Sequence, residues 1–259
     1  MSVKRFVRNC IRSVGWNIER FDPRSSKASQ LVRQLLVHRI DVVFDVGANI
    51  GQFAEMLRDA GFSGRIVSFE PSTAAHSALS ERARRDAKWD IAPRMALGDH
   101  EGTITLNLAG NSASSSVLPM LPSHASAAPE SRYVGSETVD LGMLDRIGVE
   151  VTTEAEHVFL KLDVQGYEYK VLQGAQQFLH RVAGIQLELS LVPLYDGECL
   201  FHPMLHDLEK RGYEMWSMVP GFVDPDTGRL LQLDAVFFRK EPALAEGLSA
   251  TRGSATIYR

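Results

Sequence analysis

The feature that most constrains this chain is a strand running into a glycine-bounded turn and out again into a helix. Val42-Val43-Phe44-Asp45 is a short apolar run. Gly47-Ala48-Asn49-Ile50-Gly51 follows, and a helical stretch from Gln52 to Ala60 stops at Gly61. The same rhythm comes again at once. Arg65-Ile66-Val67-Ser68-Phe69 ends at Glu70-Pro71, and a second helical stretch runs from Thr73 to Arg85. Strand, helix, strand, helix argues for a parallel sheet covered on both faces.

The rest of the chain extends that pattern. Before it, Ser29 to Ile40 reads as an amphipathic helix. After it, Ile91 to Leu97 reads as a third strand, and Thr103-Ile104-Thr105-Leu106 alternates like a half-exposed one. Residues 109–131 are rich in Ser, Ala and Pro with almost no charge; a segment this long reads as a functional loop, simple disorder being the alternative. His157 to Asp163 is a strand, Gly166 turns the chain, and a helix is expected from Glu168 to about His180. Ile185 to Leu189 is another strand and Met204 to Lys210 another helix. Near the end, Phe222-Val223 and Leu231 to Phe238 flank Asp224-Pro225-Asp226-Thr227-Gly228, a turn sequence. Two strands joined so closely must be antiparallel. The expected fold is therefore α/β, with a doubly wound and mostly parallel sheet that finishes in an antiparallel hairpin.

Composition narrows the class. With 28 Lys and Arg against 32 Asp and Glu, the net charge is −4, which argues against nucleic acid as a partner. The only cysteines, Cys10 and Cys199, form no disulfide framework, so a reducing cytoplasm is the expected compartment. No run approaches the roughly 18 apolar residues needed to span a bilayer. Three regions are expected: a basic helical arm over 1–40, one domain over 41–240, and a mobile tail over 241–259. Within the arm, Val3, Val7, Cys10, Ile11 and Val14 recur at helical spacing opposite Lys4, Arg5, Arg8 and Arg12. Packing on the main domain is the plainer reading of that stripe. Contact of residues 1–20 with an anionic membrane, at its inner face, is the sharper one.

The chemistry concentrates at Asp45-Val46-Gly47-Ala48-Asn49-Ile50-Gly51. Gly47 and Gly51 permit a tight turn and close approach of a ligand to the backbone. In a doubly wound sheet, the carboxyl ends of the first strands form the ligand crevice. Glu70 closes the second strand about 20 residues beyond the loop, where an acid typically accepts hydrogen bonds from ribose hydroxyls. The G-x-G-x-x-G pattern of dinucleotide sites is broken by Asn49, and no Walker A lysine is present. An acid two residues before Gly47 repels a phosphate and suits a cation, such as the ammonium of S-adenosylmethionine (SAM).

Taken in order, these stretches resemble the FkbM-type SAM-dependent methyltransferases. The resemblance is carried by Phe44 to Gly51, Phe69-Glu70-Pro71, Ala96-Leu97-Gly98-Asp99, Ser114-Ser115-Ser116, Leu160 to Glu168, Leu187 to Ser190 and Pro193 to Gly197, and covers roughly residues 41–240. It implies a seven-stranded, Rossmann-like sheet with SAM as cofactor. It further implies that Gly47, Asn49 and Gly51 line the methionine portion near Asp45, that Glu70, beside Pro71, holds the ribose, that Leu97 and Asp99 lie near the adenine, and that Asp163 sits beside the transferable methyl. The family often has Glu where this chain has Gln165.

A hydroxyl is a weak nucleophile at neutral pH and needs a positioned base or a metal. Asp163 and Glu188 end adjacent strands on the crevice side, so Asp163 is expected to orient or deprotonate the acceptor with Glu188 assisting. A divalent metal shared by the two is an option, not the favoured one. A zinc trio of Cys199, His202 and His206 is less favoured still, because Pro203 intervenes and no fourth ligand is evident. His124 is an alternative base; Tyr195 and Trp216 are candidate platforms for a sugar ring, with core packing the plainer reading. The expected activity is O-methylation of a small molecule, the sugar of a bacterial glycolipid or of a glycosylated natural product. An NAD-dependent oxidoreductase and a non-catalytic SAM-binding protein are the alternatives.

Overall fold

The computed structural model describes Ser13 and residues 26–240. The basic stripe of residues 1–20 and the tail over 241–259 lie outside the described residues, Ser13 excepted. Helix α1 (Lys27–Val37) leads into β1 (Val42–Val46), α2 (Gln52–Asp59), β2 (Arg65–Phe69), α3 (Thr73–Ala83) and β3 (Trp89–Ile91). Then come β4 (Ala96–Leu97), β5 (Gly102–Ala109), α4 (Pro122–Ala127), β6 (Tyr133–Gly142) and α5 (Leu144–Val151). The chain closes with β7 (Val158–Leu162), α6 (Glu168–Gln173), β8 (Val182–Ser190), α7 (Phe201–Lys210), β9 (Tyr213–Pro220) and β10 (Gln232–Arg239).

Seven strands form one sheet in the order β3-β2-β1-β7-β8-β10-β9. Its pairings are parallel except that β10 runs antiparallel to both β8 and β9. The order reverses between β1 and β7, and that switch point opens a crevice at the carboxyl ends of the strands. Strands β1 and β7 are buried along their whole length, as strands covered on two faces must be. The pleat divides the core. Phe44, Val46, Leu160 and Leu162 face one cluster, while Val43, Ile66 and Phe159 face the other. Leu31, Val32 and Leu35 of α1 belong to that second cluster, so this end of the expected arm is part of the domain's core.

Several boundaries differ from expectation for local reasons. Helix α1 stops at Val37 rather than Ile40. The Arg39 N–H donates to Leu36 O at 3.1 Å and the Ile40 N–H to Leu35 O at 2.9 Å, with Arg39 at φ +52°. This is a Schellman cap, and it returns Ile40 to the core. The helix expected over 168–180 breaks at Gly174, where the backbone packs so tightly that a Cβ would lie 1.9 Å from Gly98 O. The strand expected over 91–97 is two strands in different sheets.

The largest departure is a second, three-stranded sheet of order β4-β6-β5. Strand β6 escapes a periodicity reading because its first half, Tyr133 to Ser136, is largely exposed and carries a glycine. The 109–131 segment bridges β5 and β6, with bridges from Asn107 to Ser116 and from Met120 to Tyr195. The closing hairpin is present, but its first arm is β9 rather than Phe222-Val223. The Asp224 carboxylate accepts the N–H groups of Asp226 at 2.9 Å and Thr227 at 3.0 Å and fixes the turn. Among the described residues, no helix is long and apolar enough to cross a membrane.

Candidate active site

A cavity of ≈ 330 Å³ opens at the switch point. Its floor is the β1–α2 turn and the end of β2, and Ser112, Ala113 and Ser115 to Val117 form part of its wall. The 109–131 segment therefore contributes directly to the site.

The turn after β1 depends on left-handed backbone: Gly47 has φ +75°, Asn49 +49° and Gly51 +97°. At Gly47 this is compounded by contact, since a Cβ would lie 1.8 Å from Asp163 O. Only glycine fits there. The Asn49 N–H donates to Glu70 Oε2 at 2.8 Å and the Ser72 N–H to Glu70 Oε1 at 2.8 Å. Two backbone amides thus orient the Glu70 carboxylate, and each oxygen keeps a second lone pair. Burial pushes Glu70 up to about 7, with the two amides pulling the other way.

Gly47, Asn49, Glu70, Pro71, Leu97 and Asp163 all line the cavity. Asp45, Gly51 and Asp99 do not. Gly51 instead packs against Trp89 at the start of α2. Asp99 pairs with Lys170 at 2.7 Å and His100 at 2.8 Å, which hold its carboxyl below the ordinary range. Asp45 is fully buried behind the turn and faces Lys161 Nζ at 3.0 Å. Its charge is met by Lys161 rather than presented to a ligand. Burial raises the Asp45 carboxyl. Burial also works against the Lys161 charge, but Asp45 and Asp163 outweigh it and raise the ammonium above its ordinary value. No motif in the sequence singles out Lys161. The available signal was a charge between Leu160 and Leu162 in a strand buried on both faces.

Asp163 stands just beyond β7, its side chain 37% exposed. The Gln165 Nε2 donates to Asp163 Oδ1 at 2.8 Å and to Glu188 Oε2 at 2.6 Å. Tyr195 OH donates to Gln165 Oε1 at 2.6 Å, which fixes the amide in that orientation. Ser116 OH donates to Gln165 O at 2.7 Å. The two predicted carboxylates are therefore brought together through one amide. That amide nitrogen stands where a shared cation would have to sit, so the donor set does not fit a metal bridging Asp163 and Glu188. Among the described residues, no group of three His, Cys, Asp or Glu is placed to hold a metal, Cys199, His202 and His206 included. Glu188 touches the amide but does not line the cavity, and burial followed by Asp163 raises its carboxyl well above the ordinary value.

Three further expectations change. Tyr195 is fully buried and serves Gln165 rather than a sugar face. Trp216 lies on β9, its ring edge-on to His38 at 4.3 Å and outside the cavity. His124 is buried edge-on against Tyr195 at 5.1 Å, also outside the cavity, and burial lowers its imidazole. The aromatic side chains that do line the cavity are Phe53, Phe69 and Tyr167.

A family model described as the methyltransferase FkbM domain matches residues 45–215. The sequence has no significant match among curated proteins. Among solved structures, the magnesium protoporphyrin IX methyltransferase of Synechocystis PCC 6803 with bound SAM is 10% identical, with TM-score 0.45 over 93% of this chain and 98% of that one. A putative SAM-dependent methyltransferase from Listeria monocytogenes is 9% identical, with TM-score 0.47 over 83% of this chain and 98% of that one. A TehB-like SAM-dependent methyltransferase from Corynebacterium glutamicum is 12% identical, with TM-score 0.41 over 92% and 95%. With the family match spanning well over half the chain, the protein belongs to the FkbM family of SAM-dependent methyltransferases.

Proposed function

We propose that the protein methylates a hydroxyl oxygen of a small molecule, the sugar of a bacterial glycolipid or of a glycosylated natural product, with Asp163 as the base. The observation that carries this reading is the Asp163 carboxylate at the cavity wall. One oxygen is fixed by Gln165 at 2.8 Å, and the other is engaged only by Lys161 at 3.6 Å.

Gly47, Asn49 and the turn that Gly51 closes would hold the methionine portion of SAM. Glu70 would accept the ribose hydroxyls on its free lone pairs, with Pro71 beside it and Leu97 against the adenine. Bound there, SAM supplies an electrophilic methyl group on a sulfonium. Asp163 Oδ2 takes the proton of the attacking hydroxyl, a role worth about 10²–10⁴-fold. Lys161 and Gln165 keep that carboxylate oriented. Glu188 is a positioning residue, because it acts through the amide it shares with Asp163. Membrane contact through residues 1–20 would bring the enzyme to a lipid-borne acceptor.

The test is methyl transfer from labelled SAM to a bacterial lipid extract, intact or enzymatically deglycosylated. Label confined to the intact glycolipid, with turnover lowered about 10²–10⁴-fold in Asp163→Asn at unchanged SAM affinity, is the expected result. Equal labelling of both extracts rules out sugar methylation, and near-normal turnover of Asp163→Asn rules out the base.

A further inference from the structure

The cavity extends from Gly47 and Glu70 across the sheet to its β8–β10 side. Gln186 of β8 and Asp234 of β10 line it as well. Strand β10 stands three places from β1 in the sheet, about 14 Å at the usual strand spacing. On this side, Gln52 and Phe53 of α2 face the strands across the opening.

The hydrogen-bonding capacity of this end is lopsided. Lys161 is the sole Lys or Arg among the described residues lining the cavity. Its ammonium is already committed, to Asp45 at 3.0 Å, to Gly47 O at 3.1 Å and to Asp163 at 3.6 Å. The Gln165 amide is spent on Asp163 and Glu188. The Gln186 Nε2 donates to Asp234 Oδ1 over a long 3.4 Å, while Gln186 Oε1 is buried with no hydrogen-bond partner. Lys27, at the start of α1, reaches Asp234 through its field alone. Apart from the exposed Gln52 amide, the free capacity on this side thus belongs to the Asp163 and Asp234 carboxylate oxygens, which are acceptors.

From this balance we infer that the β8–β10 end of the cavity seats a ring bearing hydroxyl groups and no anionic group, with Asp234, held by the Gln186 amide, taking its O–H donors and Phe53 covering its C–H face. The inference rests on the proposed function, since it takes the molecule at this end to be the methyl acceptor. A phosphate, sulfate or carboxylate on that ring would meet Asp163 and Asp234 with no free cation to receive it. Asp234 is accordingly a binding residue that selects the acceptor and Gln186 a positioning residue that holds it, and neither takes part in proton transfer.

The experiment uses the full-length protein saturated with S-adenosylhomocysteine (SAH) and three probes that share one ring. These are methyl glucoside, which is neutral, the methyl glycoside of glucuronic acid, which is anionic, and methyl glucosaminide, which is cationic. Binding is read by saturation-transfer NMR. The neutral glycoside is expected to bind about tenfold or more tightly than the anionic one, and the cationic one at least as tightly as the neutral one. Its affinity should fall about tenfold in Asp234→Asn and in Gln186→Leu, the usual effect of one lost hydrogen bond to a polar or charged partner. SAH affinity and melting temperature report whether each variant is folded, and SAH affinity should not change. Equal or tighter binding of the anion overturns the inference, as does sugar binding indifferent to both variants or no neutral binding at all. Should Asp163→Asn abolish methyl transfer while the three sugars bind alike, the inference fails and the proposed reaction stands. The opposite pattern keeps the subsite and removes the base.

Discussion

The two ends of the cavity are built from different material. At the β1–β2 end the work falls to backbone. Three left-handed residues within five positions shape the turn, two main-chain amides aim Glu70, and Gly47 lies against the main chain of Asp163. At the β7–β8–β10 end it falls to side chains from distant parts of the sequence. Tyr195 holds Gln165, which holds Asp163 and Glu188, while Asp234 reaches back to Gln186. A backbone-built end is compact in sequence and tolerates little change. A side-chain-built end can be altered one residue at a time, which suits the half of a methyltransferase that must fit its own acceptor.

Lys161 joins the two ends, so its loss should be the most damaging. Lys161→Met leaves Asp45 buried without its counter-charge and should cost about 3–5 kcal/mol in urea unfolding. Adding Asp45→Asn should recover most of that loss. If the double variant is no more stable than the single one, the pair does not tie the ends together. Next comes Gly47→Ala, which should cost about 1–3 kcal/mol through backbone strain and remove measurable SAH binding. Gly174→Ala is its counterpart away from the cavity. It should destabilise as clearly, because its Cβ would meet Gly98 O, yet leave SAH affinity unchanged in the folded fraction. At the other end, Tyr195→Phe should cost only about 1 kcal/mol. It should also lower turnover without changing SAH affinity, because it frees the Gln165 amide that orients Asp163.

The same contrast explains what could be read from the sequence. Asp45 to Gly51 and Glu70 are a contiguous motif and a strand end, and their spacing reports their geometry. The parallel sheet and its closing hairpin were legible for a similar reason, since buried strands and a Pro-Asp-Gly turn leave local signatures. Lys161, Gln186 and Asp234 carry no such signature. What makes them a site is the order β1-β7-β8-β10, a tertiary fact. The same holds for β6, whose pairing with β5 supplies what its exposed first half lacks in pattern. For Tyr195, Trp216 and His124 the choice between ligand and packing was not legible, because an aromatic or imidazole ring looks alike in sequence whether it faces a ligand or another side chain.

The mildest effect is one of pH, and the cavity's two states should respond in opposite directions. Burial pushes Glu70 up to about 7 from an ordinary 4.5, and pushes Glu168 up to about 8. A carboxyl raised in the folded state binds its proton more tightly when folded. Its stabilising contribution is therefore present at low pH and lost as pH climbs from about 4.5 through about 7 to 8. The ligand-free protein should melt progressively lower over that window, and Glu70→Gln should flatten part of the slope. Cofactor affinity should rise instead, levelling off above about 7, because ribose hydroxyls donate to the ionised form of Glu70. Parallel rather than opposed trends would remove Glu70 from the ribose.

The most direct test of the account is a calorimetric titration of the wild-type protein and Glu70→Gln with SAH and with NAD. The account predicts a single SAH site, no heat from NAD, and SAH affinity reduced about tenfold in Glu70→Gln. NAD binding in place of SAH, or SAH binding indifferent to Glu70→Gln, would contradict it.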